Sequence, residues 1–147
     1  MSVARPEKQE AMTATEMKKI LVVDDDPSIV MLITKVLTRG NYRVFQAASG
    51  QQARQQISAT RPDLVVLDVM MPDFNGFEVC RGLKGDDKTK DIKVILVTAK
   101  TSGKDIQTGL SAGADCYMTK PFKIAELSAR IKQLLESEEP GAAGPKP

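Results

Sequence analysis

Five short apolar runs, separated by stretches with helical spacing, constrain the fold of this chain more than any other feature. They lie at residues 20–23, 44–45, 64–67, 94–97 and 116–118. Three of the runs are apolar at every position, which is typical of strands covered on both faces and therefore of a parallel sheet. Because strands and helices alternate five times, the pattern predicts an α/β doubly wound fold.

The helical segments carry start and stop signals as well as apolar spacing. Asp26 is the predicted N-cap of the first helix, with Pro27 in its first turn and Gly40 at its end. Ser49 and Gln52 form a predicted capping box for the second helix. The residues expected to face the core along the five helices are Ile29, Leu32, Ile33, Val36 and Leu37; Ala53 and Ile57; Phe77, Val79, Cys80 and Leu83; Ile106 and Leu110; and Ile124, Leu127, Ile131 and Leu134.

The length of 147 residues suits one domain, which we expect at residues 18–138. Residues 1–17 are polar and show no sustained period, so we expect a disordered tail there. Residues 139–147 are rich in proline and glycine, which predicts a second disordered tail or the stub of a linker.

Composition excludes several classes of function. The 21 basic and 19 acidic residues nearly balance, and only 4% of residues are aromatic, so we expect no direct contact with nucleic acid. No run reaches the roughly 18 apolar residues of a membrane span. The two widely spaced cysteines, Cys80 and Cys116, suit the reducing cytoplasm. The absence of histidine excludes a Ser-His-Asp catalytic set.

Polar side chains follow the apolar runs, at the strand ends where parallel sheets place their functional crevice. Asp24 and Asp25 follow the first run and Asp68 the third, while Thr98 and Lys120 follow the last two. If the first strand is central and the third lies beside it, these side chains converge on one pocket. Carboxylates, a hydroxyl and an ammonium group at four strand ends of one chain would rarely occur together by coincidence.

The chemistry of this set predicts phosphoryl transfer. Two unit charges 4 Å apart cost about 4 kcal/mol at an effective dielectric constant near 20, so the carboxylates need a cation. Oxygen ligands alone favour Mg²⁺, Lys120 adds a fixed positive charge, and the Thr98 hydroxyl can hold a phosphoryl oxygen. Asp68 is the expected nucleophile because it stands alone, whereas Asp24 and Asp25 are adjacent and suited to share a metal.

Other acidic residues have simpler interpretations. A single aspartate at a strand end is more often a turn former or a helix cap than a catalyst. The acidic residues expected to be solvated turn residues are Asp63, Asp73, Asp86, Asp87 and Asp91.

The motifs LVVDDDP, LDVMMPDFNG, VTAK and KPF, in this order and at these separations, resemble the response-regulator receiver domain of two-component signalling. The resemblance covers about residues 18–138. It implies a flavodoxin-like (βα)5 fold with a five-stranded parallel sheet in the order 2-1-3-4-5.

The resemblance also implies roles for residues around the acidic cluster. The phosphoacceptor falls on Asp68, and the pair that manages Mg²⁺ falls on Asp24 and Asp25, with Asp25 the direct ligand. The backbone carbonyl of Met70 would complete the protein's share of the metal site.

The resemblance also places the family's hydroxyl residue at Thr98, its lysine at Lys120 and its aromatic switch residue at Tyr117. The bond between Lys120 and Pro121 is a candidate for the cis form.

The resemblance implies a histidine kinase as phosphodonor and a downstream protein target or the chain's own output domain as recipient of the signal. Phosphorylation would change the surface of the fourth helix, fifth strand and fifth helix, where the residues expected to be exposed are Lys104, Lys123, Glu126 and Arg130. Met70 lies two residues after the phosphoacceptor and Lys100 two after Thr98, and neither suits water activation. We therefore expect slow autodephosphorylation.

Three alternatives stay open. The chain can be the N-terminal receiver of a longer, truncated regulator with a DNA-binding or enzymatic output, which would form a homodimer on phosphorylation. An aspartyl-phosphate phosphohydrolase usually has a second acid at the place of Met70, which this sequence lacks. A flavodoxin-like electron carrier is disfavoured because the acidic pocket would repel a flavin phosphate.

Overall fold

The computed structural model describes residues 17–99 and 102–136. The tails predicted at 1–17 and 139–147 therefore lie outside the described residues, except for Met17. Lys100 and residues 137–138 also lie outside them.

Five strands and five helices alternate along the described residues, as the sequence predicts. They are β1 Lys19–Val23, α1 Pro27–Arg39, β2 Arg43–Ala47, α2 Gly50–Thr60, β3 Leu64–Leu67, α3 Gly76–Lys84, β4 Lys93–Thr98, α4 Gly103–Ser111, β5 Cys116–Thr119 and α5 Ile124–Glu136. A short antiparallel hairpin, formed by Met70–Met71 and Phe74–Asn75, lies between β3 and α3.

The five strands form one parallel sheet in the order β2-β1-β3-β4-β5. This order confirms the predicted flavodoxin-like doubly wound fold. β1 and β3 are neighbours in register, with Val23 opposite Leu67, so the residues that follow them leave the sheet side by side.

The apolar strands are buried because both faces of the sheet carry helices. On one face, Leu21 and Val23 of β1 pack in a cluster with Ala53 of α2 and with Phe77 and Cys80 of α3. On the other face, Ile20 and Val22 pack with α1 and α5 through the buried residues Val30, Ile33, Leu37, Leu127, Ile131 and Leu135. Because side chains alternate along a strand, each apolar run contributes residues to the cores on both faces of the sheet.

The helix starts confirm the predicted caps with one difference. The Asp26 carboxylate accepts from the Ser28 N–H, and the Ser49 hydroxyl accepts from the Gln52 N–H. The Gln52 side chain, however, accepts from the N–H of Ala48 and not from that of Ser49. The predicted reciprocal pair is therefore displaced by one residue.

Two residues predicted to face the core are exposed instead. Leu32 is 51% exposed, since α1 turns Val30, Ile33 and Leu37 toward the sheet. Leu110 of α4 is 52% exposed, since its neighbour Gly109 meets the sheet.

The small residue at Gly109 is needed because the ring of Tyr117 lies against it. A Cβ at Gly109 would lie 2.7 Å from that ring.

In α5, Leu135 is the buried residue at the end of the helix, and Leu134 is only partly buried.

None of the helices within residues 17–99 and 102–136 combines the length and the apolar character needed to cross a bilayer.

Two glycines of α3 provide a test of how closely the start of this helix packs on the residues that follow β3. An added Cβ at Gly76 would lie 2.6 Å from the Val69 Cα and 2.7 Å from the Asp68 carbonyl oxygen, whereas at Gly82 it would meet nothing within 4 Å. We expect Gly76→Ala to lower the free energy of unfolding by about 1–3 kcal/mol through overpacking. Gly82→Ala should raise it by about 0.5–1 kcal/mol, because alanine is the better helix former. Urea unfolding of both variants checks this, and equal effects would contradict the close approach.

Candidate functional site

The candidate site lies at the carboxyl ends of the neighbouring strands β1 and β3. The N–H of Asp24 donates to the Ala47 carbonyl at 3.2 Å, and the N–H of Asp68 donates to the Val23 carbonyl at 3.0 Å. The hydrogen-bond ladder therefore continues through the first residue after each strand. The sheet therefore fixes the backbone of both aspartates independently of their side-chain contacts.

Three carboxylates form an acidic cluster at this edge of the sheet. One oxygen from each of Asp24, Asp25 and Asp68 lies within 4.8 Å of the others. Asp24 and Asp68 are buried, with 5% and 6% exposure, while Asp25 is exposed. The sequence prediction that these three residues converge is thus met by the geometry.

Lys120 bridges the two buried carboxylates of this cluster. Its Nζ donates to Asp24 Oδ2 at 2.8 Å and to Asp68 Oδ2 at 3.1 Å. The second oxygen of each carboxylate is held by the backbone two residues on. Asp24 Oδ1 accepts from the Asp26 N–H at 2.9 Å, and Asp68 Oδ1 accepts from the Met70 N–H at 3.1 Å.

The surroundings change the proton affinity of two of these groups. Burial raises the pKa of Asp68, and the nearby Asp24 charge adds to this, against the opposing effect of the Met70 N–H and Lys120. Burial by itself lowers the pKa of Lys120, but its hydrogen bonds and attraction to Asp24 and Asp68 outweigh burial and raise it overall. Since the folded-state pKa of Lys120 is raised, its stabilising effect is complete below the ordinary lysine pKa and is lost as the pH rises through the raised value.

Thr98 lies at the end of β4 and is fully buried. Its carbonyl accepts from the backbone N–H of Lys120 at 2.8 Å, so the threonine and the lysine are joined at the same end of the sheet. The bond between Lys120 and Pro121 is cis, as the family resemblance implies.

Met70 and Tyr117 belong to the hairpin after β3 and to the edge strand β5, respectively. Met70 belongs to the hairpin after β3 and pairs with Asn75, and the residue is 55% exposed. Tyr117 of β5 pairs in register with Leu96 of β4, and its half-buried ring packs on Gly109 of α4. Burial, followed by the charge of Asp105, raises the pKa of Tyr117.

Two aspartates that were predicted to be solvated turn residues make long-range contacts. Asp63 Oδ2 accepts from the backbone N–H of Lys19 at 2.8 Å. Asp73 is exposed and lies in a turn as predicted, but its carboxylate also accepts from backbone N–H groups of Gly50 and Gln51. No local sequence signal identifies either contact, because the partners are distant along the chain.

Comparison with known proteins identifies the family. The family model described as the response regulator receiver domain matches residues 20–132. The chain belongs to this family.

Characterised relatives are similar over most of this chain but are longer. It is 44% identical over 122 residues to the alkaline phosphatase synthesis transcriptional regulatory protein PhoP of Bacillus subtilis, covering 83% of this chain and 50% of the relative. It is 42% identical over 125 residues to the DNA-binding response regulator MtrA of Mycolicibacterium smegmatis, covering 85% of this chain and 54% of the relative. The chain thus spans about half the length of the curated relatives it matches.

A solved structure with a closely similar fold is the BeF3-activated DrrB receiver domain. It superposes with a TM-score of 0.75 at 38% identity, and the match covers 82% of this chain and 98% of that one. The likeness therefore extends over nearly the whole of a solved receiver domain.

Removal of the bridging lysine tests how far it offsets the two buried carboxylates. In a buffer with a metal chelator, we expect Lys120→Met to lower the free energy of unfolding by about 2 kcal/mol, because two like charges lose their shared cation. The Lys120 side chain keeps 21% exposure, so the loss should be smaller than for a fully buried pair. The exposed neighbour Lys123→Met is the control and should change stability by less than about 0.5 kcal/mol. Equal losses in urea unfolding would show that Lys120 has no such role.

Proposed function

We propose that this domain is a phosphorylation switch in which Asp68 accepts a phosphoryl group from a histidine kinase. The observation that carries the proposal is the position of Asp68, which is buried at a strand end, adjacent to two further carboxylates and in contact with the Lys120 ammonium. A phosphoryl-transfer site needs positioning and charge neutralisation more than it needs acid–base groups. This set of residues offers both.

The acidic cluster suits Mg²⁺, with Asp24, Asp25, Asp68 and the backbone carbonyl of Met70 as its proposed holders. The fit rests on three carboxylate oxygens within 4.8 Å of one another, one of them from an exposed side chain that solvent can reach. Mg²⁺ prefers a few carboxylate oxygens and keeps waters and phosphate oxygens as its other ligands. When bound, the ion would neutralise the negative charge of the phosphoryl oxygens.

In the proposed reaction, a carboxylate oxygen of Asp68 attacks the phosphorus of the kinase phosphohistidine. An O–P bond forms as the N–P bond breaks, and the imidazole keeps the bonding electron pair and takes a proton from solvent. The Lys120 ammonium, already next to Asp68, stabilises the negative charge that arrives on the phosphoryl oxygens. Later attack by water on the phosphorus releases inorganic phosphate and restores the carboxylate, a step we propose to be slow.

The proposed signal passes from Thr98 through Tyr117 to the surface of α4, β5 and α5. A phosphoryl oxygen would attract the Thr98 hydroxyl, and the Tyr117 ring would turn toward the space that this leaves. The contact of Tyr117 with Gly109 links such a rotation to α4. Lys104, Lys123, Glu126 and Arg130 are exposed on this surface, as predicted, and offer charged contacts to a protein target.

The proposal retains a cytoplasmic location. Both cysteines are free thiols in the structure, which suits a reducing compartment.

Incubation with MgCl2 and acetyl phosphate tests the phosphoacceptor directly. Intact mass spectrometry should show the addition of one phosphoryl group to the unmodified chain and none to Asp68→Asn. The matched control is Asp87→Asn, which removes an exposed carboxylate of the α3–β4 loop and should leave the addition unchanged. Addition to Asp68→Asn at the original rate would refute the assignment.

A second candidate keeps the same site but makes the domain the receiver of a longer regulator. It is favoured by the relatives, of which MtrA is named as a DNA-binding response regulator and is about twice as long as the match. In this candidate, contact with nucleic acid belongs to a separate output domain, and phosphorylation pairs two receivers so that two output domains act together.

Dimerisation distinguishes the two candidates. Beryllium fluoride, the activating ligand in the DrrB receiver structure, can stand in for the phosphoryl group. If the domain serves a longer regulator, light scattering with beryllium fluoride and MgCl2 should show a mass approaching twice that of the monomer. The variant Asp68→Asn should stay monomeric under the same conditions. A monomer at all concentrations would favour a domain that acts by docking a target protein alone.

A further inference from the structure

Hydrogen bonds join the two strands of the hairpin after β3 to each other and close its base. The tip of the hairpin, in contrast, is bonded to α2. The hairpin strands pair Met70 with Asn75 and Met71 with Phe74. At the base, the N–H of Gly76 donates to the Val69 carbonyl at 2.9 Å. These contacts fix the shape of the hairpin, and the buried Met71 packs one of its strands on the core.

The tip of the hairpin is fastened to the start of α2 by Asp73. Asp73 Oδ1 accepts from the Gly50 N–H at 2.9 Å, and Oδ2 accepts from the Gln51 N–H at 3.3 Å. The Phe74 ring packs on the same turn, where a Cβ at Gly50 would lie 2.6 Å from the ring. Polar and apolar contacts therefore join the hairpin tip and α2 at one point.

The bond to α2 suits a carboxylate in its charged form. The first N–H groups of a helix lack partners within the helix and carry a partial positive charge. The Gly50 hydrogen bond, followed in effect by that of Gln51 and by Arg54, lowers the pKa of Asp73. Ser49 caps the next N–H, that of Gln52, so the two side chains share the helix start between them.

We propose that Asp73 is a positioning residue for the metal site, because it holds the hairpin that carries Met70 against α2. This inference rests on the proposed function, in which the Met70 carbonyl is a Mg²⁺ holder. Met70 also donates its N–H to Asp68 Oδ1. A tilt of the hairpin would thus displace a metal-holding carbonyl and an Asp68 contact together, and metal sites tolerate displacements of only about 0.5 Å.

Calorimetric titration with MgCl2 tests the inference on the whole chain. Asp73→Ala is expected to weaken Mg²⁺ binding by about tenfold, the lower end of the range for residues that orient metal ligands. The matched control is Ser49→Ala, which removes the cap on the Gln52 N–H of the same helix and keeps the Asp73 carboxylate that bonds Gly50 and Gln51. It should bind Mg²⁺ like the unmodified chain. Amide hydrogen exchange of the metal-free protein should accelerate at Gly50 and Gln51 in Asp73→Ala.

Phosphorylation by acetyl phosphate gives a second readout that a purely stabilising role would not change. In Asp73→Ala the Mg²⁺ concentration for half-maximal rate should rise, while the rate at saturating Mg²⁺ stays close to that of the unmodified chain. Should Asp73→Ala not fold, Asp73→Asn replaces it, since its amide keeps one acceptor oxygen and loses the second. This variant should show a smaller weakening of Mg²⁺ binding.

The outcomes separate this inference from the proposed function. If the unmodified chain binds no Mg²⁺, the proposed function fails. If the unmodified chain and the Asp73 variant bind Mg²⁺ equally, or if Ser49→Ala weakens binding as much, the positioning role of Asp73 is overturned and the proposed function stands.

Discussion

The two hydrogen bonds of the Lys120 ammonium connect the parts of the chain on which the site depends. The lysine follows the last strand, and its partners Asp24 and Asp68 lie 96 and 52 residues away in sequence. Both partners are buried, and the charge of Asp24 disfavours the ionisation of Asp68. One cation therefore stabilises the ends of three strands together, which couples the integrity of the site to the integrity of the sheet.

The sheet order makes this connection possible. β1 lies between β2 and β3, and all five strands run in the same direction. The residues that follow the strands therefore all lie at the carboxyl end of the sheet. The helices on both faces exclude water from the strands and leave this end as the place where polar side chains gather. Burial of the strands thus creates the partly dehydrated surroundings that raise the pKa of Asp68.

Local signals in the sequence predict most of the fold and the side chains of the candidate site. They do not predict the contacts between residues that are distant along the chain. Apolar strands and helix caps depend on neighbouring residues, so they can be read from the sequence. The exposure of Leu110 cannot, because periodicity defines an apolar stripe while the packing of Gly109 on Tyr117 decides how the helix is turned. The contact of Asp73 with Gly50 joins residues 23 apart in different elements, and only the folded chain brings them together.

The two carboxylates that Lys120 bridges are not equivalent, and the difference favours Asp68 as the nucleophile of the proposed reaction. Lys120 is closer to Asp24, at 2.8 Å, than to Asp68, at 3.1 Å. The backbone N–H that holds the second oxygen is also closer for Asp24, at 2.9 Å, than for Asp68, at 3.1 Å. Hydrogen bonds to a carboxylate stabilise its charge and reduce its readiness to attack, and Asp68 is the more weakly held at both oxygens. Burial raises the pKa of Asp68, which makes its carboxylate more basic, and hence a better nucleophile, than an aspartate in water.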